Sequence, residues 1–213
     1  MQGGAQTSSP PISSSSSKSA RKSAPATTST LDAGTVSGGV YRNKSLALFL
    51  KIPAAWVLRT EEMNTPNAAP EGADSASVTK ADSGGRVLLA AFSRPPEARA
   101  EDVNTSIVIA AESVAAYPGL KDAAQYFGPL SEVAKAQGFT VVEEPYEFAV
   151  GAKTLVREDF QKDVGSRVMR QSTLALLARG RAVSITFIGG TEDEVEELIG
   201  GLSFPVAAKP PAR

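Results

Sequence analysis

An α+β domain is predicted for this chain by three features of its sequence. Apolar runs of strand length alternate with Gly, Pro and Asn turn signals, a helical apolar stripe follows in the middle, and a capped amphipathic helix lies near the end. The short turns between the later strands favour antiparallel pairing, because parallel neighbours need a crossover of a dozen or more residues.

Residues 1–37 read as a disordered leader. They are rich in Ser, Thr, Ala and Pro, with an unbroken serine run from Ser13 to Ser17 and no aromatic residue, so they cannot bury enough apolar surface to offset their ordering entropy. One domain is expected over 38–206, and 207–213, with Pro210-Pro211, as a frayed tail. Val40 to Asn43 and Leu46 to Ile52 form two strands about an Asn43-Lys44 turn, and Pro53 ends the second. Trp56 to Arg59 continues as a short strand or a helical turn. The stretch 61–85 is poor in large apolar residues and reads as a long loop.

Arg86 to Ser93 and Thr105 to Glu112 are nearly continuous apolar strands. Leu120, Ala124, Phe127, Leu130 and Ala134 then recur at helical spacing, so a helix over 120–137 lays one face on the sheet. Gly128-Pro129 is expected to kink or divide it, and Gly138 to stop it. Five strands follow, at 139–143, 146–150, 153–160, 167–178 and 181–188; in the last, Val183, Ile185 and Phe187 share one face. Thr191 and Glu194 make a capping box, and Val195, Leu198, Ile199 and Leu202 supply the stripe of the closing helix.

The chain contains neither histidine nor cysteine. Histidine-dependent triads and proton shuttles, the common zinc sites, thiolate nucleophiles, disulfides and cysteine-held clusters are therefore excluded. A net charge of −1 gives no field for a phosphate backbone, so no nucleic-acid partner is expected. No apolar run approaches the length of a transmembrane helix. The serine-rich leader resembles the tether that follows a removed export signal, which gives an extracytoplasmic location, periplasmic or secreted, as the expectation; a cytoplasmic protein with a polar tail is the alternative.

The order of these elements, with Tyr41-Arg42-Asn43, the Phe49-x-x-x-Pro53-x-x-Trp56 spacing, the Glu194 to Leu202 helix and Ser203-Phe204 after it, resembles the PsbP-like superfamily. That superfamily includes the extrinsic P protein of photosystem II and a Ran-binding import factor. The resemblance runs from about Gly39 to Pro205 and implies an α/β/α sandwich around a central antiparallel sheet. It also implies a mostly non-enzymatic binding or assembly role, and it transfers neither Ran binding nor the photosystem role, since no matching residue carries them.

Four residues are singled out as a ligand or partner surface: Tyr117, Arg157, Asp159 and Arg170. Alternation places Arg157 and Asp159 with Leu155 on one strand face, opposite Val156, Glu158 and Phe160. Cross-strand ion pairs on a solvated sheet face are the structural reading of this charge run. An acid–base or anion site is the functional one. Tyr117-Pro118-Gly119 reads equally as an exposed aromatic contact or a packing residue. Trp56 and Tyr41 are expected to anchor the core rather than to stack a ligand. The acidic run Glu192, Asp193, Glu194, Glu196 and Glu197 suits the dipole of a helix start better than a cation site, and Gly189-Gly190 suits a tight turn better than a phosphate loop. No metal, cofactor or catalytic residue is assigned.

The chain is thus read as a non-catalytic binding or assembly module for a protein partner or small ligand. A carboxylate-dependent or metal-assisted hydrolase built on Glu158 and Asp159 is the alternative.

Overall fold

The computed structural model describes residues 31–65, 85–98, 100 and 102–205. The first strand, β1 (Thr35–Ser37), lies inside the stretch read as leader. Two buried polar residues hold the chain there: the Tyr41 hydroxyl donates to the Ala33 carbonyl at 2.9 Å, and Asn43 Nδ2 donates to the Asp32 carbonyl at 2.7 Å. Residues 1–30 and 66–84, which carry the rest of the leader and most of the expected loop, and the tail 206–213 lie outside the described residues.

From β1 the chain folds into β2 (Val40–Asn43) and β3 (Leu48–Lys51), then β4 (Val57–Leu58), a short helix α1 (Thr60–Asn64), β5 (Arg86–Phe92) and β6 (Ser106–Ser113). A 3-10 turn, Val114–Ala116, leads through an irregular stretch to α2 (Phe127–Ala136). The strands β7 (Thr140–Val150), β8 (Lys153–Val164), β9 (Arg167–Ala178) and β10 (Arg181–Gly189) follow, and α3 (Glu192–Gly200) and β11 (Leu202–Ser203) close the chain. The strands make two antiparallel sheets, one of four in the order β1-β2-β3-β11 and one of seven in the order β4-β5-β6-β10-β9-β8-β7. This is the expected α+β sandwich.

Alternation divides the large sheet into two buried faces. On one, Ile107, Ile109, Leu174, Leu176, Val183, Ile185 and Phe187 pack against Val195, Leu198 and Ile199 of α3 and against Tyr41, Leu48 and Leu50 of the small sheet. Each such side chain removed from water contributes about 1.5–3 kcal/mol. The other face is covered by α2, through Phe127 and Ala134, and by Met63 of α1. Because both faces are buried, β5 and β6 read as nearly continuous apolar runs rather than as alternating ones.

Besides β1, and Leu202, which falls in β11 rather than in the closing helix, three elements differ from the sequence expectation. The middle helix begins at Phe127, not Leu120, so Pro129 stands in its first turn, where an N–H has no helical partner to lose; it opens the helix instead of kinking it. The two strands expected around Glu144-Pro145 are one, β7, interrupted by irregular register between Val141 and Tyr146. β7 is an edge strand, where proline costs no ladder bond, and its bulges and glutamates blunt the edge against further pairing. The short helix α1 was not expected; Asn64, which accepts from Val87 N at 3.0 Å and donates to its carbonyl at 2.8 Å, fastens it to β5.

Candidate functional site

Three polar clusters and one groove are the features in which chemistry could reside. The first cluster contains two of the sequence-selected residues. Register sets Arg157 of β8 opposite Leu174 and Asp159 opposite Ser172 of β9. Arg157 Nε donates to both Asp159 oxygens at 3.0 Å, and its terminal nitrogen donates to Ser172 Oγ at 3.0 Å and reaches Glu196 of α3 at 2.5 Å. The Ser172 hydroxyl also donates to Asp159, and the Tyr146 hydroxyl donates to the same carboxylate at 3.0 Å. The guanidinium lies 5.0 Å from the centroid of the Phe148 ring. Burial opposes its charge, and the hydrogen bonds and charges of Glu196 and Asp159 outweigh that, so its pKa is held above the ordinary arginine value.

This corrects the solvated-face reading. The pair runs along one strand, not across two, and Arg157 is only 6% exposed. Through Glu196 the guanidinium also ties α3 to β8. Arg170 shares the face two residues beyond Ser172, opposite Gln161 and Gly189, and takes no part in these ion pairs.

The second cluster contains Tyr117. Its hydroxyl donates to Glu112 of β6, as does that of Tyr126 at 2.7 Å, and the two rings meet edge-on with centroids 5.3 Å apart. Burial and the Glu112 carboxylate raise both phenol pKa values. Tyr117 is half-buried and pins the irregular stretch before α2 to the sheet. In the third cluster Ser131 of α2 meets Glu158, which is 1% exposed on the opposite face of β8 from Asp159.

The acidic start of α3 is a cap. Glu194 accepts from Gly190 N at 2.8 Å and Thr191 N at 3.2 Å, and Thr191 Oγ1 accepts from Glu194 N at 3.2 Å. The Gly190 and Thr191 N–H groups of the turn are thus taken by the protein's own carboxylate. Among the described residues no group of three or more Asp or Glu side chains is placed to hold a metal.

The groove was missed by the sequence reading. Tyr41, Leu48 and Leu50 point into the core, so the alternate residues Val40, Arg42, Phe49 and Lys51 point out of the small sheet. The turn Pro53 to Trp56 and Leu58 of β4 stand beside this outer surface and enclose a concavity of about 860 Å³. Trp56 packs partly on the core, as expected, and also lines the groove; Tyr41 is wholly core. Arg42 lies 5.8 Å from the Phe49 ring centroid. Of the three exposed large apolar side chains among the described residues, Val36, Leu58 and Val142, two line the groove. The alternation in 40–51 carried the signal, but nothing local placed Trp56 and Leu58 beside it.

No protein-family model matches the chain, and no curated protein matches it. Solved structures of similar shape include a Pseudomonas aeruginosa protein of unknown function, PA94, at 16% identity and a TM-score of 0.35, covering 74% of this chain and 85% of that one. Another is Mycobacterium tuberculosis LpqN, described as involved in cell envelope biogenesis, at 14% identity and a TM-score of 0.37, covering 74% of this chain and 83% of that one. A Bacteroides thetaiotaomicron protein matches at 11% identity and a TM-score of 0.37, covering 82% of this chain and 51% of its own length.

Proposed function

We propose that this chain is a non-catalytic binding module that works outside the cytoplasm, with the groove over the small sheet as its working surface. The observation that carries this reading is the coincidence of concavity with exposed apolar side chains: Val36 and Leu58 stay in water at about two-fifths exposure beside Trp56 and Phe49. A volume of about 860 Å³ suits a small ligand or one extended segment of a partner. The leader's composition supports export, and the PsbP-like resemblance supports a binding role.

The hydrolase alternative has less support. Glu158 and Asp159 project to opposite faces of β8, so the sheet separates the two carboxylates it would need to converge, and each is engaged by protein groups. A small-molecule fragment library followed by amide NMR shifts tests the proposal. Shifts concentrated on residues 36–58 and Ser203 are expected; hits that converge on the Arg157 or Glu112 clusters instead, or turnover of model esters or glycosides, overturn it.

A further inference from the structure

Resting on that reading, we infer that the groove's occupant is an amphiphilic anion: a carboxylate or phosphate monoester head carrying a single apolar chain. The lining contains two cations, Arg42 and Lys51, and no carboxylate. Among the described residues neither cation forms an ion pair. In a chain of almost balanced charge, two cations gathered on an apolar concavity with no anion of their own are complementary to an anion from outside.

The layout matches such a ligand. Arg42 is opposite Phe49, and Lys51 is opposite Val40, so each cation has an apolar cross-strand neighbour on the outer face. Arg42 uses one terminal nitrogen on the Ser37 carbonyl at 3.1 Å and the Val40 carbonyl at 3.4 Å. Those bonds and the ring beneath it restrain the guanidinium while its other N–H groups stay available for bidentate contact with an oxyanion. Apolar walls strengthen the attraction, because charges bordering low-dielectric surface are less screened than in open water. The Trp56 side, with Pro53 and Leu58, has no charge and suits the chain of the ligand. A free inorganic anion leaves that half unfilled; a neutral hydrocarbon leaves the cations unpaired.

Trp56 is the sole tryptophan, so its emission reports occupancy directly. The full chain is titrated with decanoate, decyl phosphate, decanol, decyltrimethylammonium, acetate and inorganic phosphate, with calorimetry as a second readout. The two decyl anions are expected to bind at least about tenfold more tightly than decanol, a step of the size that one well-placed charge contact supplies. The cation and the two chainless anions are expected to bind more weakly still. In the double variant Arg42→Gln/Lys51→Gln, both sites being exposed, the anion preference should disappear while decanol binding persists.

Equal affinity across the decyl series overturns the charge inference and leaves the groove reading standing. Acetate or phosphate binding as tightly as decanoate overturns the amphiphile. Absence of binding by every decyl probe, or binding only of a peptide carrying aspartate and phenylalanine, overturns the ligand class, whereas the groove reading itself fails only if the fragment shifts lie elsewhere.

Discussion

Ser131 Oγ stands 2.6 Å from the Phe127 carbonyl oxygen and 2.6 Å from Glu158 Oε2. A hydroxyl has one proton, so Ser131 cannot donate to both acceptors. Both contacts are satisfied when Glu158 is protonated and donates to Ser131 while Ser131 donates to the carbonyl. The electrostatics agree. Burial raises the Glu158 pKa above its model-compound value of 4.5, a hydrogen bond donated by Ser131 to the ionised carboxylate would oppose this, and the Glu144 charge adds to the rise. Lys135 lowers it and Asp159 raises it further, both by smaller amounts.

Stability should follow from that pKa. A carboxyl with a raised folded pKa contributes its full stabilisation below 4.5, the unfolded value, and loses it as pH rises through the folded one. Glu158→Gln keeps a neutral donor to Ser131 at every pH. Urea unfolding from pH 4 to pH 8 should show the variant gaining on the parent as pH increases. A constant difference across the range would mean that folding leaves the Glu158 pKa unshifted.

Removing Arg157 should be far more damaging than its surface-like sequence context suggests. Arg157→Met leaves the part-buried Asp159 with only the Tyr146 and Ser172 hydroxyls and releases the half-exposed Glu196 from the sheet, a loss of about 2–3 kcal/mol, below that of a fully buried pair. Arg157→Met/Asp159→Leu should recover much of it, because no uncompensated charge remains. Double-mutant-cycle denaturation checks both statements; two independent losses that simply add would contradict the network.

At Gly34 the backbone has φ +78°, and a Cβ would fall 2.4 Å from the Tyr41 ring. Gly34→Ala must therefore displace Tyr41, breaking its bond to Ala33 and freeing the stretch that leads into β1. We expect a loss of about 2–3 kcal/mol, with strain at positive φ adding to overpacking. Amide exchange in residues 32–37 should quicken more than in β10.

Ala55 adopts φ 65° in the turn that presents Trp56. A left-handed residue with a Cβ costs about 1–2 kcal/mol, which glycine avoids at the expense of about 0.5–1 kcal/mol of extra chain entropy. Ala55→Gly should therefore be neutral or slightly stabilising in thermal unfolding. It should also broaden the environment of Trp56, seen as a less resolved emission spectrum; a loss above 1 kcal/mol would show that the methyl packs rather than strains.

Much of the architecture was legible because its signals are local. The Thr191 capping box, the Val195, Leu198 and Ile199 stripe of α3 and the face shared by Val183, Ile185 and Phe187 each depend on residues a few positions apart, and each is present as expected. The differences arose where position in the sheet overrides propensity. Pro145 interrupts a central strand but not an edge, and Pro129 breaks a helix interior but not a first turn; sequence alone does not say which position a proline will hold.

The site was less legible for the same reason. Arg157 and Asp159 were correctly placed on one face, yet whether that face met water or α3 depended on Glu196, many residues later. Tyr117 could not be assigned before Glu112 and Tyr126 were seen to converge on it. The sequence by itself determined the α+β class, the periodicity of the strands, the capped last helix, and, through the absence of histidine and cysteine, the chemistry this protein does without. Only the tertiary structure decided which charges are neutralised within the fold and which, like Arg42 and Lys51, are left facing an apolar groove, because pairing and burial are made by contacts between elements distant along the chain.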